Sequence, residues 1–509
     1  MLISAKNISR DQNRVVELPL SKSESNRALM IMHYSGIEEF RNSGIKGDGN
    51  SMVPELVEGS SSSLRQSQRQ NRGKDLVSRC LGVSVSLSNS DDTVLLQKHL
   101  NAINQYIKDC EQGPLSVVCC PLTLDCNNAG TVFRFLMTAV ANLYLGVSVT
   151  RCLGVLLTGS ERMKSRPIDS LVDALRNLGV SIEYQGREGY PPILISSTNL
   201  ANHPESSSNN PCDPCDTWRL EISAEQSSQF ASSLLLAAPL WKNGLELHLT
   251  GNLSSLPYID MTIAMMRQCG IDAVRNDRDI MVKPGCYNVE NIKVEPDWSA
   301  AAFWYEIASF SDNAEILLKN LNINSLQADA AAIKMFESLG VETLSVKEGV
   351  LLKKVNSQRS TVNGNSSVGC QLKVQSSEST FNFQLSTFNF KDCPDLFPAV
   401  IAACAGNKVN ATFTGLKNLS IKESDRKRAM MKELSKINIA FEDVSDDELK
   451  MFCPEELPYF TEESPIVFDN YEDHRIAMAL SVLSMKIGTV SMENTEVVSK
   501  SYPGFFDTL

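Results

Sequence analysis

The densest run of groups able to hold an anion lies near the start of the chain, at Leu18-Pro19-Leu20-Ser21-Lys22-Ser23-Glu24-Ser25-Asn26-Arg27. Ser21 and Glu24 have the S-x-x-E spacing of a capping box, which starts a helix at Lys22. A helix start offers unpaired N–H groups and the positive end of the macrodipole to an anion. Lys22 with Asn26, and Ser23 with Arg27, are i,i+4 pairs, so cation and hydroxyl gather on one side of the first turns. The chemistry is that of a phosphate or carboxylate cradle. A solvated, capped helix is the alternative when the run is taken alone. Farther on, Pro394-Asp395 opens an apolar helix, and Lys422-Glu423-Ser424-Asp425-Arg426 and Asp473-His474-Arg475 crowd acids against cations. Taken singly, Asp395 reads as an ordinary helix N-cap and Glu423 as a surface acid paired with a nearby Lys or Arg.

The elements that must position these groups recur along the chain. An apolar-periodic helix ends at a small residue and a short apolar strand follows, at Leu178-Gly179-Val180, Cys269-Gly270-Ile271, Leu339-Gly340-Val341 and, with Asn for Gly, Ile437-Asn438-Ile439. Asp169, Asp260 and Asp329 lie ten or eleven residues before the first three glycines, as acidic caps would, with a left-handed residue closing each helix. Such units occur in any α/β protein, but four of them favour assembly from repeated αβ units. Three stretches interrupt the order. Residues 36–86 read as an exposed insertion or disordered loop, residues 202–216 as a polar loop, and residues 364–390 as a third loop holding two STFNF copies, Ser379–Phe383 and Ser386–Phe390. RCLGV also occurs twice, at Arg79–Val83 and Arg151–Val155, which reads as inserted sequence rather than a fold repeat.

A chain of 509 residues is long enough for two large cores. Its formal charge of −12 supplies no basic field for nucleic acid or an anionic membrane, so an anionic ligand must be held by a local cluster. Met1–Arg14 lacks a secretory pattern. The apolar stretch Met137–Leu157 is broken by Asn142, Gly146, Thr150 and Arg151, and reads as a buried helix and strand rather than a membrane span. Fourteen scattered cysteines fit reduced thiols in a cytosol. Cys212-Asp-Pro-Cys215 has no second pair at metal-site spacing and is read as loop.

Set in order, the motifs resemble those of the 3-phosphoshikimate 1-carboxyvinyltransferase (EPSP synthase) family. SKSESNRAL from Ser21 is the family's opening string, and Asn128-Ala129-Gly130-Thr131 with Arg134 is similar to its NAGT-x-x-R segment. Thr158–Pro167 is similar to TG-x-x-R-M-x-x-RP, Ser227-Ser228-Gln229 to SSQ and Ser255-Leu256-Pro257-Tyr258 to S-x-PY. In the second half Pro394-Asp395, Asn418–Arg426 (N-x-x-x-KE-S-DR), Asp473–Met478 (DHR-x-AM) and Lys500–Pro503 (K-S-Y-P) complete the order. Phe135 departs from the family, many members of which have Pro there, and the STFNF duplication alters the approach to Asp395.

The resemblance implies an α/β (α+β) two-domain enolpyruvyl transferase fold, each domain three βαβαββ units in an inside-out α/β barrel, with helix starts at Lys22, Gly130, Asp395 and Arg475 facing one cleft. Residues 21–297 would form one domain, with an insertion at about 36–86 and a loop at 202–216. Residues 1–20 with 298–509 would form the other, with a loop at about 364–390. The chain would cross near Pro19–Ser21 and return near Pro296–Ser299. The implied reaction moves the enolpyruvyl group of phosphoenolpyruvate to the 5-hydroxyl of shikimate 3-phosphate by addition and elimination, with no cofactor and no metal. Lys22, Gly130, Arg162, Gln229, Arg426, Arg475 and Lys500 would bind phosphoenolpyruvate, and Arg forks suit phosphate and carboxylate. Lys22, Ser23, Arg27, Ser227, Ser228, Gln229, Ser255, Tyr258, Asp395, Asn418 and Lys422 would bind shikimate 3-phosphate. Asp395 would take the hydroxyl proton, Glu423 would protonate the methylene carbon, and Lys22 would aid the leaving phosphate. Two carboxyl groups in different environments suit such opposite transfers. The resemblance further implies a cytoplasmic protein and a monomer, with no nucleic-acid or membrane partner. Two alternatives are a UDP-N-acetylglucosamine enolpyruvyl transferase, whose opening motif differs, and a catalytically silent descendant, against which every expected charged residue is present.

Overall fold

Several helices of this chain have no polar face, and that decides where they go. In the computed structural model, which describes residues 1–4, 11–42, 55–56, 76–80, 83–112, 121–146, 154–196, 217–223, 227–253, 255–355 and 385–509, helices Trp298–Phe310, Phe397–Gly406 and His474–Val482 are buried along their whole length. They pack against one another. In the other half Ser228–Ala237, with nine buried residues, packs with Gly130–Gly146, Lys22–Asn42 and Leu256–Gln268. The sheets lie outside these helices. Their strands alternate buried and more exposed residues, as in Leu245–Thr250 and Asp279–Val282, because only one face meets the helices.

Four sheets share one topology, in which a strand pairs parallel with the next and a hairpin then adds two antiparallel strands. They are built on Leu122–Asp125 and Val155–Thr158, Trp218–Ser223 and Leu245–Thr250, Asp11–Val16 and Asn313–Lys319, and Ser386–Asn389 and Ala411–Thr414. Two sheets vary the theme: Ile466–Phe468, Val490–Met492 and Leu2–Ile3 form one, and Glu55–Leu56, Leu76–Cys80 and Val83–Leu87 form a purely antiparallel one. The six small sheets stay separate. One hydrophobic core runs from Ala28 to Ile292, and a second gathers Ile3, Val16 and Leu18 with residues from Trp298 to Phe505.

Two chain passages join the cores, and they pair with each other. Leu20 bridges Pro296, the Ser21 N–H donates to the Glu295 carbonyl at 2.7 Å, and the Asp297 N–H donates to the Pro19 carbonyl at 2.9 Å. The capping box is therefore only half made. Ser21 Oγ accepts from the Glu24 N–H at 3.4 Å, but Glu24 turns its own carboxyl to the Glu295 N–H at 2.7 Å. The neighbouring passage has already taken the Ser21 N–H that a capping-box acid would have satisfied.

All four helix stops are left-handed, with φ of 90° at Gly179, 86° at Gly270, 82° at Gly340 and 65° at Asn438. The expected acidic caps are not. Asp169 is the first helical residue after Ile168, Asp260 lies inside Leu256–Gln268 and binds Arg275, and Asp329 is buried in the turn Ala328–Ala331. Met137–Leu157 divides into a helix ending at Gly146 and a strand starting at Val155, and among the described residues no helix is long and apolar enough to cross a membrane. The first helix continues to Asn42, beyond the expected loop start at residue 36, and three short strands occupy the stretch that follows. The second STFNF copy is a core strand with Phe388 and Phe390 buried, not loop; the first copy, residues 202–216 and the Cys212–Cys215 pair lie outside the described residues. Cys126, Cys269, Cys393, Cys404 and Cys453 are free thiols, whereas Cys110 is disulfide-bonded, against the expectation of reduced thiols throughout.

Burial raises the Glu24 carboxyl to about 8, and the Glu295 N–H only partly offsets that. Glu24 is thus neutral at pH 7 when folded but ionised when unfolded. Between the ordinary value of 4.5 and about 8 the folded state binds the extra proton, so stability falls as pH rises through that window. Glu24→Gln should flatten this decline, read as the difference in melting temperature between about pH 5 and pH 8.5 for variant and parent. An unchanged slope would assign the decline to other groups.

Candidate active site

Helix starts from both halves meet at one cavity, and each start is fixed by local sequence. Ser227 caps Ser228–Ala237 by accepting from the Gln229 N–H, and Asp473 caps His474–Val482 by accepting from the Arg475 N–H at 3.0 Å. Pro394 opens the turn Pro394–Leu396 that carries Asp395 into Phe397–Gly406. Lys22, Ser23, Arg27, Gly130, Ser227, Ser228, Gln229, Ser255 and Tyr258 line the cavity from one side, and Asp395, Asn418, Lys422, Glu423 and Arg475 from the other.

Arg426 stands behind this lining, its side chain 1% exposed. It donates to Asp395 at 2.7 Å, Glu423 at 2.8 Å and Asp473 at 2.8 Å. Arg475 reaches the other Asp395 oxygen at 3.0 Å, Lys422 lies 3.5 Å from Asp395, and Lys500 lies 3.6 Å from Glu423. Burial alone would raise the Asp395 carboxyl, but Arg475, Lys422 and Arg426 outweigh it and hold that carboxyl well below the usual range. Glu423 is likewise pushed up by burial and pulled well below its ordinary value by Lys500 and Arg426. The two carboxyl groups are therefore not set apart here as different environments would have set them; both are ionised. On Lys22, burial is outweighed by Asp92, 3.2 Å away, and Glu423, and its pKa is raised. Burial, then Lys22 and Arg475, keep His474 uncharged.

The two halves also touch directly around the cavity. Arg162 does not line it; it donates to the carbonyls of Glu423 at 3.2 Å, Ser420 at 3.0 Å and Lys422 at 2.8 Å. Lys500 reaches the Asn128 carbonyl at 3.2 Å, Ser499 donates to Asp91 at 2.6 Å, and the Ser255 N–H meets the Lys391 carbonyl at 3.3 Å. Arg27 is a knot among helices, bonded to Thr262, Ser232 and the Tyr258 carbonyl. Its guanidinium lies 5.8 Å from the centre of the Phe135 ring, which gives the departure from the family's Pro a packing role. Residue-by-residue reading missed Asp92, Thr131, Arg134 and Arg166 as lining groups. Arg134 and Arg166 stood inside quoted strings, and Asp92 in the acidic first turn of Asp91–Gln112, a pattern shared by many surface helices.

Buried helices, outer sheets and one cation-rich cavity lined by residues of both hydrophobic cores define the class, a mixed α/β protein with a site fitted to anionic ligands. The family model described as EPSP synthase (3-phosphoshikimate 1-carboxyvinyltransferase) matches residues 93–509. The chain is 33% identical to a 3-phosphoshikimate 1-carboxyvinyltransferase of Bacteroides fragilis, with 97% of this chain and 94% of the relative aligned. It is 28% identical to one from Vibrio vulnificus, over 98% of this chain and 96% of that one. A solved EPSP synthase from Acinetobacter baumannii superposes with a TM-score of 0.59 at 18% identity, covering 99% of this chain and 96% of the other, which speaks to fold. The chain belongs to the EPSP synthase family.

Arg426→Met removes the partner of three buried or half-buried carboxylates. Breaking a buried ion pair costs about 3–5 kcal/mol, because the remaining charge is left uncompensated. Chemical denaturation should show a loss of that order; a loss below about 1 kcal/mol would mean the carboxylates find other partners.

Proposed function

We propose that this chain is a 3-phosphoshikimate 1-carboxyvinyltransferase, joining the enolpyruvyl group of phosphoenolpyruvate to the 5-hydroxyl of shikimate 3-phosphate with release of phosphate. The observation that carries this reading is the single cavity in which Lys22, Asp395, Glu423 and Arg475 meet, although they come from opposite halves and distant segments. Both substrates are anionic, and the cavity gathers cations against them at short range. Lys22, Gly130, Arg162, Gln229, Arg426, Arg475 and Lys500 are our proposed phosphoenolpyruvate contacts. Lys22, Ser23, Arg27, Ser227, Ser228, Gln229, Ser255, Tyr258, Asp395, Asn418 and Lys422 are those for shikimate 3-phosphate. Arg426 and Lys500 act from behind the lining, and Arg162 must leave its carbonyl partners to reach a ligand.

In the addition, Asp395 accepts the proton of the attacking hydroxyl as its oxygen bonds to the substituted carbon of phosphoenolpyruvate, and Glu423 gives a proton to the methylene carbon. In the elimination both transfers reverse: Glu423 takes a proton back from the new methyl group as the double bond re-forms, and phosphate departs beside Lys22 with the proton that Asp395 held. Asp395 is ready as drawn, being ionised. Glu423 is not, because Lys500 and Arg426 hold it ionised. Substrate anions binding to those cations would raise Glu423 and let it load a proton, so the acid is armed by the substrate it protonates.

We further propose two domains, residues 21–297 and residues 1–20 with 298–509, each enclosing one of the two cores. A monomer suffices, since one chain supplies both walls of the cavity. A cytoplasmic location suits the five described free thiols, with the Cys110 disulfide the exception.

A coupled phosphate-release assay with shikimate 3-phosphate and phosphoenolpyruvate should show turnover, and none with UDP-N-acetylglucosamine as acceptor. A folded sample that binds shikimate 3-phosphate yet releases no phosphate would sink this reading. Glu423→Ala should lower kcat by about 100-fold or more while shikimate 3-phosphate binding changes little. Arg27→Ala should weaken that binding and also lower the melting temperature, because its guanidinium ties three helices.

A further inference from the structure

Arg475 is placed by the backbone that leads into it, and that backbone is strained. Tyr471 and Glu472, which immediately precede the cap Asp473, have φ of 53° and 54°. A left-handed φ is uncommon outside Gly, Asn and Asp, and two in succession without a glycine persist only where other contacts hold them. Within the turn the Asp473 N–H donates to the Asn470 carbonyl at 2.8 Å, Asn470 Oδ1 accepts from the Glu472 N–H at 2.9 Å, and Asp469 Oδ1 accepts from the Tyr471 N–H at 2.8 Å. The Asn470 amide donates in turn to the Glu493 carbonyl at 2.7 Å.

The outer hold on this turn comes from Glu433, whose side chain is fully buried. Its Oε1 accepts from the Tyr471 hydroxyl at 2.7 Å, and its Oε2 from the Asp469 N–H at 2.9 Å and from Lys436 at 2.5 Å. Lys436 already offsets the carboxylate charge, so charge balance alone does not account for the other two bonds. Glu433 stands seven residues after Arg426 in the helix Arg426–Ser435, about two turns on and therefore on the same face. That face grips the segment from Asp469 to Arg475 at two points. Glu433 takes Asp469 and Tyr471, Arg426 takes Asp473 at 2.8 Å, and Arg475 then reaches Asp395 at 3.0 Å. Neither Glu433 nor Tyr471 lines the cavity, so any effect they have on a ligand passes through the segment they hold.

We propose that Glu433 is a positioning residue for the transfer reaction: by holding Tyr471 and Asp469 it keeps the strained turn in the shape that sets Asp473 on Arg426 and Arg475 on Asp395. The inference rests on Arg475 serving phosphoenolpyruvate and on Asp395 acting as the base.

The test compares Glu433→Gln and Tyr471→Phe with the parent. Glutamine keeps the shape of Glu433 but loses the charge-assisted hydrogen bonds, so KM for phosphoenolpyruvate should rise about tenfold. The dissociation constant of shikimate 3-phosphate alone should stay within about twofold, because Lys22, Ser23, Ser227 and Ser228 stand on the other wall. On Asp395, burial pushes upward and Arg475, Lys422 and Arg426 outweigh it. A loosened Arg475 would let that carboxyl rise, so the acid limb of kcat/KM should move to higher pH. A lower melting temperature with KM and the acid limb unchanged would make Glu433 a purely structural group and overturn the proposal, as would an equal weakening of shikimate 3-phosphate. Should Glu433→Gln fail to fold, Tyr471→Phe decides, since it removes one hydroxyl and leaves the Glu433–Lys436 pair: a raised KM for phosphoenolpyruvate sustains the proposal and an unchanged one rejects it. A parent that shows no turnover defeats the enzyme reading instead. Calorimetry of phosphoenolpyruvate on the shikimate 3-phosphate-loaded protein then judges Glu433 alone: binding that Tyr471→Phe or Glu433→Gln weakens supports it, and absent or unaltered binding refutes it.

Discussion

Arg426 is the point on which the site turns. A guanidinium 1% exposed would be intolerable alone, and three carboxylates from three segments, Asp395, Glu423 and Asp473, make it tolerable. Each of those acids does a second thing. Asp473 caps the helix that carries Arg475, Asp395 accepts from Arg475, and Glu423 lies close to Lys500. The geometry of the second half of the cavity is thus fixed by one buried cation before any substrate arrives.

The first half is organised differently. Its cations are less neutralised: Lys22 has Asp92, but Arg27 relies on neutral oxygens, Arg134 on Gln229, and Nε and Nη1 of Arg166 have no hydrogen-bond partner. One wall of the cavity is therefore a balanced ion network and the other carries surplus positive charge. An anionic substrate adds most where no internal partner competes for it, and least where an acid must first be displaced. Contacts from Arg162, Lys500, Ser499 and Ser255 hold the walls together through carbonyls and a carboxylate on the facing half.

The inside-out architecture serves this arrangement. Helices with no polar face can only be central, so their starts end near the cavity instead of on the outer surface. The antiparallel pairing at Leu20 and Pro296 puts both chain passages at one place, with Glu24 inside it. A carboxyl held neutral at that junction avoids a third charge beside Glu295 and Asp297, both of which push it upward.

Much of the assembly was legible in residue order. Residue types settled the four left-handed helix stops and the division of Met137–Leu157, since both depend on neighbours within a few positions. The complete string of motifs settled the family. Local rules failed where a distant passage competed for the same group. Glu24 left its capping box for Glu295, Asp260 turned from cap to the partner of Arg275, and the second STFNF copy became a strand because Ala411–Thr414 lay ready to pair with it. The ionisation of Glu423, the carbonyl contacts of Arg162 and the lack of a carboxylate partner at Arg134 and Arg166 among the described residues were decided by tertiary structure alone. Charge balance in a buried space sums over every segment that enters it, and no stretch of sequence lists those segments.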